Sequence, residues 1–337
     1  MEAKELLSKT AVVVLNYNGA KLLRQFLPTL ISCSDSARIY VIDNASTDDS
    51  VSLLETEFPA VVCIKNAQNL GFAGGYNEGL RSIDASLLVL INSDVEVTPN
   101  WLQPLVRAFA EEEKLAIAQP KIRDFKNKAA FEYAGAAGGF IDKYGFPYCR
   151  GRLFETVEID ENQYSDETPI FWATGACFAI RKKVFDELGG FDADFFAHQE
   201  EIDLCWRAFN RGFEARYLPD SVVFHVGGAT LASGSARKVF LNFRNSLVML
   251  LKNVPQGMLF EVLFLRLVLD GIAAIRFLTS GEFSKFRAVI AAHFAFYANC
   301  NQTFKKRAKH LRSDYFSKKS IVYAYFVQGK RRYSDVS

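Results

Sequence analysis

Short apolar runs and helix-like stretches alternate along the first hundred residues. The apolar runs are rich in β-branched residues and end in polar ones; they cover residues 11–17, 38–44, 60–66 and 86–92. The helix-like stretches lie near residues 20–32, 48–57, 73–84 and 99–113. Continuous apolar strands that alternate with helices are typical of a parallel sheet buried on both faces. The pattern therefore predicts an α/β fold with a Rossmann-like layout.

The middle of the chain has a weaker pattern. Residues 124–169 are mixed and rich in glycine, tyrosine and charge, which predicts loops and short ribbons that could close over a site. Residues 171–192 predict a strand, a helix and a Gly-Gly stop. A helix near residues 199–211 follows, and residues 213–228 predict one or two further strands.

Long helical patterns begin near residue 236, which predicts a domain over residues 8–232 and a helical region over residues 233–337. Residues 257–280 are very apolar but carry four charged side chains, so a simple spanning helix is not favoured. An interfacial or re-entrant helix fits this pattern better. A buried helix that packs on the first domain is the alternative.

The net charge of +2 conceals an uneven distribution. Residues 281–337 contain twelve Lys or Arg and three Asp or Glu, a net charge of +9, so the first 280 residues carry −7. This split favours an anionic membrane surface as a partner, rather than a nucleic acid, for the basic tail. A solvated basic helix is the plainer alternative.

The cysteines and the N-terminus bear on location. The six cysteines are scattered without a CxxC pair, and the opening segment "MEAKELLSKT" lacks an apolar signal stretch. We therefore expect a reducing environment and a cytoplasmic protein. Together with the basic tail, this predicts a peripheral location at the inner face of the cell membrane.

Polar side chains end each predicted strand of the first hundred residues: Asn16, Asp43, Asn44, Asn66, Asn92 and Asp94. In an open α/β sheet the carboxyl ends of the strands line the ligand crevice. Such residues also cap the following helices, which is the alternative. Four polar endings that include two carboxylates favour a ligand site.

The stretch "NLGFAGGYNEG" (69–79) places three glycines between a predicted strand and a helix. Glycines there let the backbone approach a phosphate or a sugar, and a helix N-terminus favours anions. The spacing is not GxGxxG, so the dinucleotide fingerprint is absent. A tight turn is the alternative.

The stretch "HQEEIDLCW" (198–206) holds three carboxylates at a predicted helix start. On a helix Glu200 and Asp203 share a face, while Glu201 points about 100° away. The trio is either ordinary stabilisation of a helix dipole or part of a reaction centre.

The motifs resemble those of the inverting glycosyltransferases of family 2, which have the GT-A fold; rhamnosyltransferase-type enzymes of bacterial surface polysaccharides are the most similar. The resemblance covers about residues 10–230. It rests on six stretches in family order: "VVVLNYNG", "VIDNASTDDS", "NLGFAGGYNEG", "VLINSDVEV", "WATGACFAIRKKVFDELGGFD" and "EEIDLCWRAFNRG".

The resemblance implies a donor site. Asp43 would contact the uracil or thymine of a dTDP- or UDP-sugar, with Asn16 and Asn18 near the base or ribose. Gly71 and Asn77 would lie near the nucleotide-sugar. The region around Trp172 would contribute to donor specificity.

The resemblance also implies a site for Mg²⁺ or Mn²⁺. Asp94 would be the last residue of the family's DxD-type motif, whose first position here is the neutral Asn92. His225 matches a histidine that often completes this site.

For catalysis, the family's general base is the Asp of a Glu-Asp pair, so Glu201 takes that position here, with Glu200 next. The side of this predicted helix that carries Asp203 would face the acceptor or hold the loop. Arg207, Arg237 and Arg244 are candidates for diphosphate or acceptor-phosphate contacts. Each is equally consistent with an ion pair within the chain.

The sequence thus predicts a metal-dependent inverting glycosyltransferase that acts on a lipid-linked or polysaccharide acceptor. A non-catalytic sugar-nucleotide-binding partner of a polysaccharide assembly complex is the alternative, because Asn92 and Glu201 depart from the family pattern. An NAD oxidoreductase is disfavoured by the missing fingerprint.

Overall fold

The structure is a computed structural model that describes residues 2–34, 36–227 and 234–336. Its first half alternates helices and strands. The strands are β1 (Thr10–Asn16), β2 (Arg38–Asp43), β3 (Val62–Lys65) and β4 (Leu87–Asn92). The helices are α1 (Ala3–Ser8), α2 (Ala20–Cys33), α3 (Ser50–Glu57) and α4 (Gly71–Gly79), with a 3-10 turn over Leu80–Ser82.

The next segment adds β5 (Val95–Val97), α5 (Leu102–Glu111) and the long strand β6 (Leu115–Asp124). A small antiparallel sheet follows, made of β7 (Gly139–Ile141), β8 (Pro147–Cys149), β9 (Arg152–Leu153) and β10 (Thr156–Val157). The chain then forms β11 (Thr168–Pro169), β12 (Cys177–Arg181), α6 (Lys182–Glu187), a 3-10 turn (Ala193–Phe195), α7 (Glu200–Asn210) and β13 (Glu214–His225).

Within the described residues, nine strands form one mixed sheet in the order β11-β13-β6-β12-β4-β1-β2-β3, with β5 paired to β13. Strands β4, β1, β2 and β3 are parallel, and β12 runs antiparallel between β4 and β6. Val12, Val13, Leu88 and Leu90 are fully buried, because layers cover both faces of this sheet. The predicted parallel arrangement is therefore confirmed for these four strands, within a mixed sheet in which β12 runs antiparallel at the centre and β5 and β11 run antiparallel to β13.

Strand β6 is the main element that the hydrophobic pattern did not predict. It contains Pro120, Lys121 and Arg123, which interrupt the apolar run. Pro120 lies just before a register shift between β6 and β13, where a missing N–H is tolerated. Residues 124–169, predicted as loops and ribbons, form the small sheet, whose Tyr148 and Leu153 pack on the C-terminal segment.

The C-terminal helices are α8 (Ala236–Asn253), α9 (Gln256–Thr279), α10 (Phe283–Lys305) and α11 (Ile321–Phe326), followed by a 3-10 turn (Tyr333–Asp335). Residues Leu247, Leu250 and Val262 belong to the same hydrophobic core as Phe178 and Leu204 of the first domain. The core is thus continuous across the predicted boundary at residue 232.

Helices α9 and α10 form a hairpin with one buried and one exposed face. The buried side of α9 carries Arg266 paired with Asp270. The exposed side bears large apolar side chains on both helices: Phe260, Phe264, Val268, Ile272, Ile275, Leu278, Phe283, Ile290, Phe294 and Tyr297. Among the described helices, none combines the length and apolarity needed to cross a bilayer.

Candidate functional site

Asn16 and Asp43 lie side by side at the carboxyl ends of β1 and β2, where they are register partners. The Asn16 amide donates to one oxygen of Asp43 at 3.0 Å, and the backbone N–H of Ser46 donates to the other at 2.9 Å. Both side chains are buried, and the Asn16 amide oxygen has no hydrogen-bond partner in residues 2–34, 36–227 and 234–336. The pair is therefore held in a fixed orientation at the floor of the crevice.

Asn18 lies above this pair, exposed and with a left-handed backbone (φ 51°). Its side-chain oxygen accepts the N–H of Thr47 at 2.7 Å, and its own N–H donates to Ser46 at 2.9 Å. The residue therefore joins the loop after β1 to the loop after β2.

The glycine-rich start of α4 is packed against the chain itself. Gly71 has φ +71°, and a Cβ there would lie 2.5 Å from the carbonyl oxygen of Phe196. A Cβ at Gly75 would lie 2.9 Å from the Asn44 amide nitrogen. That amide donates to Asn69 and to the Gly71 carbonyl. Close packing within the chain, the tight-turn alternative, accounts for these two glycines.

Asn77 does not face the crevice with a free amide. Its amide nitrogen donates to the carbonyl of Phe191 at 2.7 Å, and its oxygen accepts the N–H of Phe191 at 2.9 Å. Both ends of the amide therefore hold the loop that precedes α7, and the position of Asn77 near the nucleotide-sugar stays a prediction.

Trp172 is also placed differently from the prediction. Its indole N–H donates to the carbonyl of Phe140 at 2.8 Å, and its buried ring lies against Gly139. The ring is a core side chain that joins the small sheet to the main sheet. This placement favours a packing role for Trp172 over direct contact with a donor.

Asp94 and His225 come together at the end of β4 and β13. The Nε2 atom of His225 lies 3.2 Å from an Asp94 oxygen, and Nδ1 lies 3.3 Å from Glu132. Burial alone would lower the pKa of His225, but the hydrogen bonds and charges of the two carboxylates raise it to about 10. Glu132, which sequence reasoning missed, is thus part of this cluster.

The Asp94–His225 pair has the spacing expected of two ligands of one divalent cation. Two ligand atoms that each lie about 2.1 Å from one octahedral metal are about 3 Å apart, which is close to the observed separation. Among the described residues no group of three or more His, Cys, Asp or Glu could hold a metal ion. Any metal here therefore needs further ligands from a bound diphosphate, as Mg²⁺ sites commonly do.

Asn92 lies two residues before Asp94, half-buried at the end of β4. Its N–H donates to the carbonyl of Ala176 at 2.9 Å. Ala173, three residues before Ala176, contacts helix α7: its N–H donates to the sulfur of Cys205 at 3.4 Å. Residues 173–176 therefore bridge the end of β4 and helix α7.

Glu200 and Glu201 open helix α7, on different sides of it. Glu201 lies one turn before Cys205, on the side that meets Ala173, and remains partly exposed. One oxygen of each glutamate is buried without a hydrogen-bond partner among the described residues. Burial raises the pKa of Glu201 to about 7; burial and the neighbouring Glu201 raise the pKa of Glu200 well above its usual range.

The loop that leads into α7 is strained. Phe196, His198 and Gln199 all have left-handed backbones, with φ of 62°, 70° and 73°. Each such non-glycine residue costs about 1–3 kcal/mol and persists only where its surroundings impose it, most often at functional sites. Within the described part of the chain, one buried side-chain atom of His198 and one of Gln199 also lack a hydrogen-bond partner. These features mark the acidic turn as more than an ordinary helix start.

Asp203 is a structural residue, which corrects the prediction that it faces an acceptor or phosphate. Its carboxylate is fully buried and contacts Lys252 and Asn253 of α8, both at 2.9 Å, and Arg207 at 2.8 Å. Burial alone would raise the pKa of Asp203, but the charges of Lys252 and Arg207 hold it at about 2.

The predicted phosphate-binding arginines are engaged within the chain as well. Beyond Asp203, Arg207 donates to the carbonyls of Leu188 and Gly190. Arg244 donates to the carbonyls of Asp194 and Phe195 and to Asn245. Arg237 stacks on the ring of Phe196. The intrachain alternative is therefore favoured for Arg207 and Arg244, whose contacts hold the loop before α7.

A model of the "Glycosyl transferase family 2" family matches residues 11–189, which is more than half of the chain. The chain belongs to glycosyl transferase family 2.

Other relatives agree with this assignment. The N-acetylglucosaminyl-diphospho-decaprenol L-rhamnosyltransferase of Mycobacterium tuberculosis is 24% identical over 229 residues, 64% of this chain and 75% of that protein. Among solved structures, GalNAc-T7 with UDP, GalNAc and Mn²⁺ matches with a TM-score of 0.58 and 17% identity, over 74% of this chain and 48% of that one. The mannosyltransferase PcManGT of Pyrobaculum calidifontis, in complex with GDP-Man and Mn²⁺, matches with a TM-score of 0.52 and 16% identity, over 86% and 87%. These likenesses show a GT-A-like mixed α/β fold.

Within this family 2 glycosyltransferase, three residues of the site region were not predicted. Glu132 lies in the segment of weak periodicity, and Asn245 and Lys252 lie on α8, beyond the family match. The polar residues "RN" and "KN" in the otherwise apolar pattern of α8 were the available signal.

Proposed function

We propose that this chain transfers a sugar from a nucleoside diphosphate donor, a dTDP- or UDP-sugar, to a lipid-linked or polysaccharide acceptor in cell-surface glycan synthesis, with inversion at the anomeric carbon. Membership of family 2 supports the reaction class. The mycobacterial relative, named for rhamnosyl transfer to a lipid-linked N-acetylglucosaminyl diphosphate, supports the acceptor class.

The observation that carries the proposal is the glutamate pair at the start of α7. A buried carboxyl oxygen without a partner is costly in a folded protein, so it points to a function outside folding. The pKa of Glu201, raised by burial to about 7, suits a group that exchanges protons near neutral pH.

Glu201 is the proposed general base. The acceptor hydroxyl oxygen forms a bond to the anomeric carbon while the bond from that carbon to the diphosphate oxygen breaks, and the hydroxyl proton passes to the Glu201 carboxylate. Attack from the face opposite the leaving group inverts the anomeric centre, by the geometry that governs inverting hydrolysis. Glu200, which is more buried, would keep its proton and so limit the charge beside the base.

Asp94 and His225 are the proposed ligands of Mg²⁺ or Mn²⁺, with Asn92 nearby as a neutral oxygen donor. A bound divalent cation would stabilise the negative charge that grows on the departing diphosphate. Glu132, on the other nitrogen of His225, would orient the imidazole, as second partners of ligand histidines commonly do.

Asp43 is the proposed contact for the uracil or thymine ring. A carboxylate that already accepts from Asn16 and Ser46 keeps further lone pairs for a base N–H. Asn18 lies at the surface of the same corner. The orientation imposed by Asn16 would therefore favour one hydrogen-bonding edge of the base.

Membrane binding at the cytoplasmic face is proposed through the exposed apolar face of α9 and α10. Phe260 is 84% exposed, and Phe264, Ile275 and Phe294 are more than half exposed. Apolar side chains on one side of a helix hairpin, with basic residues such as Arg276 and Arg287 beside them, are typical of helices that lie in a membrane interface. Such binding would bring a lipid-linked acceptor to the enzyme.

A donor panel tests the reaction. The purified chain of residues 1–337 is incubated with UDP-, dTDP- and GDP-sugars, a lipid-linked acceptor, and Mg²⁺ or Mn²⁺, and released nucleoside diphosphate is measured. Release with at least one donor is expected. A chain that binds a sugar nucleotide without releasing nucleoside diphosphate in any combination would instead be a non-catalytic binding partner.

A further inference from the structure

The strained loop before α7 is held by one amide from another helix. Asn245 of α8 is almost fully buried. Its amide nitrogen lies 3.1 Å from the carbonyl of Phe195, 2.9 Å from that of Ala197 and 2.7 Å from that of His198. The two amide hydrogens are therefore shared among three carbonyl oxygens of this loop.

The orientation of the Asn245 amide is itself fixed. Its oxygen accepts two hydrogen bonds from Arg244, at 2.8 Å and 2.6 Å. Arg244 donates in addition to the carbonyls of Asp194 and Phe195. Since an arginine can only donate, the NH₂ group must point toward the loop carbonyls.

The opposite side of the loop is held by α4. The carbonyl of Phe196 accepts the N–H of Phe72 at 2.7 Å, and Gly71 has no Cβ that would block this approach. The loop thus lies between the first turn of α4 and Asn245. The left-handed residues His198 and Gln199 directly precede Glu200 and Glu201, so the loop determines where α7 begins.

We infer that Asn245 is a positioning residue: by holding the carbonyls of Phe195, Ala197 and His198, it sets the direction in which the first turn of α7 presents Glu201. The inference rests on the proposed function for the role of Glu201. It also gives a role to a side chain of the C-terminal helices, which lie outside the family match at residues 11–189. Asn245 itself is not placed in contact with the substrate.

Two substitutions separate this role from simple packing. Asn245→Ala removes the donor and its volume, whereas Asn245→Asp keeps the shape but turns a carboxylate, which cannot donate, toward three carbonyls. Asn299→Asp is the matched control, because Asn299 is exposed and its amide donates to the carbonyl of Ala295 within its own helix.

Turnover is measured per folded molecule, together with the donor KM and the dependence of kcat on pH. Both Asn245 variants are expected to lower kcat by tenfold to a hundredfold, because a misplaced catalytic group loses about this much. The donor KM should change less than threefold, the acidic limb of the pH profile should move, and Asn299→Asp should match the wild type. A kcat within twofold of the wild type in both Asn245 variants would overturn the inference.

Hydrogen exchange tests the positioning role of Asn245 without requiring that the proposed reaction occurs. Peptides covering residues 195–204 are followed by mass spectrometry in the same variants. Asn245→Ala should speed exchange in this segment at least tenfold and leave residues 10–16 of β1 unchanged. Unchanged exchange at 195–204 would overturn the positioning role even if no donor is turned over, whereas absent turnover with faster exchange would overturn only the proposed reaction.

Discussion

Glu200 and Glu201, adjacent in the first turn of α7, each keep one buried carboxyl oxygen that finds no hydrogen-bond partner among the residues the structure describes. Burial raises the pKa of both side chains, for Glu201 to about 7. Two neighbouring buried carboxyls cannot both ionise cheaply. The folded protein therefore carries a cost at this turn that an ordinary helix N-terminus does not have.

Glu201→Gln should stabilise the protein at alkaline pH. The folded-state pKa lies above the unfolded value, so the ionisation cost is absent below about pH 4.5, grows up to about pH 7 and is full above it. The variant should gain up to about 3 kcal/mol over the wild type at pH 8 and close to nothing at pH 5. Thermal unfolding at both pH values measures this, and an equal difference at pH 5 and pH 8 would contradict the assigned pKa.

Asp203→Asn should destabilise the fold. The substitution removes the negative charge that compensates the positive charges of the buried Lys252 and the partly buried Arg207. Breaking a buried ion pair costs about 3 kcal/mol. Because the Asp203 pKa is held at about 2, its contribution is complete above about pH 4 and disappears as the pH falls through 2. Urea unfolding at pH 7 gives the free energy of unfolding.

The matched control for Asp203 is Asp186→Asn, which breaks the i,i+4 pair with Lys182 on α6. Asp186 is more than half exposed, so this change should alter stability by less than about 0.5 kcal/mol. Equal effects of the two substitutions would mean that the Asp203 pair does not hold α7 to α8.

Asp94→Asn should weaken the effect of Mn²⁺ on nucleotide binding. The amide keeps the shape of the side chain but loses the charge that a divalent cation prefers. We expect Mn²⁺ to strengthen UDP binding at least tenfold, about 1.4 kcal/mol, in the wild type and to have little effect in the variant. Calorimetric titration with and without Mn²⁺ measures this; Asp84→Asn, at an exposed position, serves as the control. The same Mn²⁺ enhancement in Asp94→Asn would remove Asp94 from the proposed metal site.

Replacing Phe260, Phe264 and Phe294 together by Ser should reduce binding to vesicles. Each side chain is exposed on the α9–α10 face, and its burial in a bilayer interface is worth about 1.5–3 kcal/mol. Sedimentation with vesicles that contain anionic lipid should show at least a tenfold loss of affinity. Ile159→Ser, at an exposed apolar position on another part of the chain, should leave binding unchanged. A wild-type chain that fails to sediment with such vesicles would contradict the membrane proposal.

The sequence predicted the elements whose physical signal is local. The strands β1 and β4 could be recognised because burial on both faces requires continuous apolar residues, as at Val12, Val13, Leu88 and Leu90. Strand β6 was not predicted, because Pro120, at its register shift with β13, interrupts the apolar run.

The site was predicted less completely, because its contacts join distant residues. The prediction that Asp94 and His225 lie close together is matched by a separation of 3.2 Å. Asp203 and Lys252 are 49 positions apart, and Asn77 and Phe191 are 114 apart. Which face of α7 meets α8, and which amide meets a loop carbonyl, depends on packing that spacing along the chain does not contain.

The Glu201→Gln variant tests directly whether Glu201 is the general base, because it removes the proposed base while keeping nearly the same shape. Nucleoside diphosphate release and sugar-nucleotide affinity are measured in the same preparation, with the donor that the wild type turns over. We expect turnover to fall at least a hundredfold while donor affinity stays within about threefold of the wild type. Turnover close to the wild-type rate, with the donor still bound, would show that Glu201 is not the base.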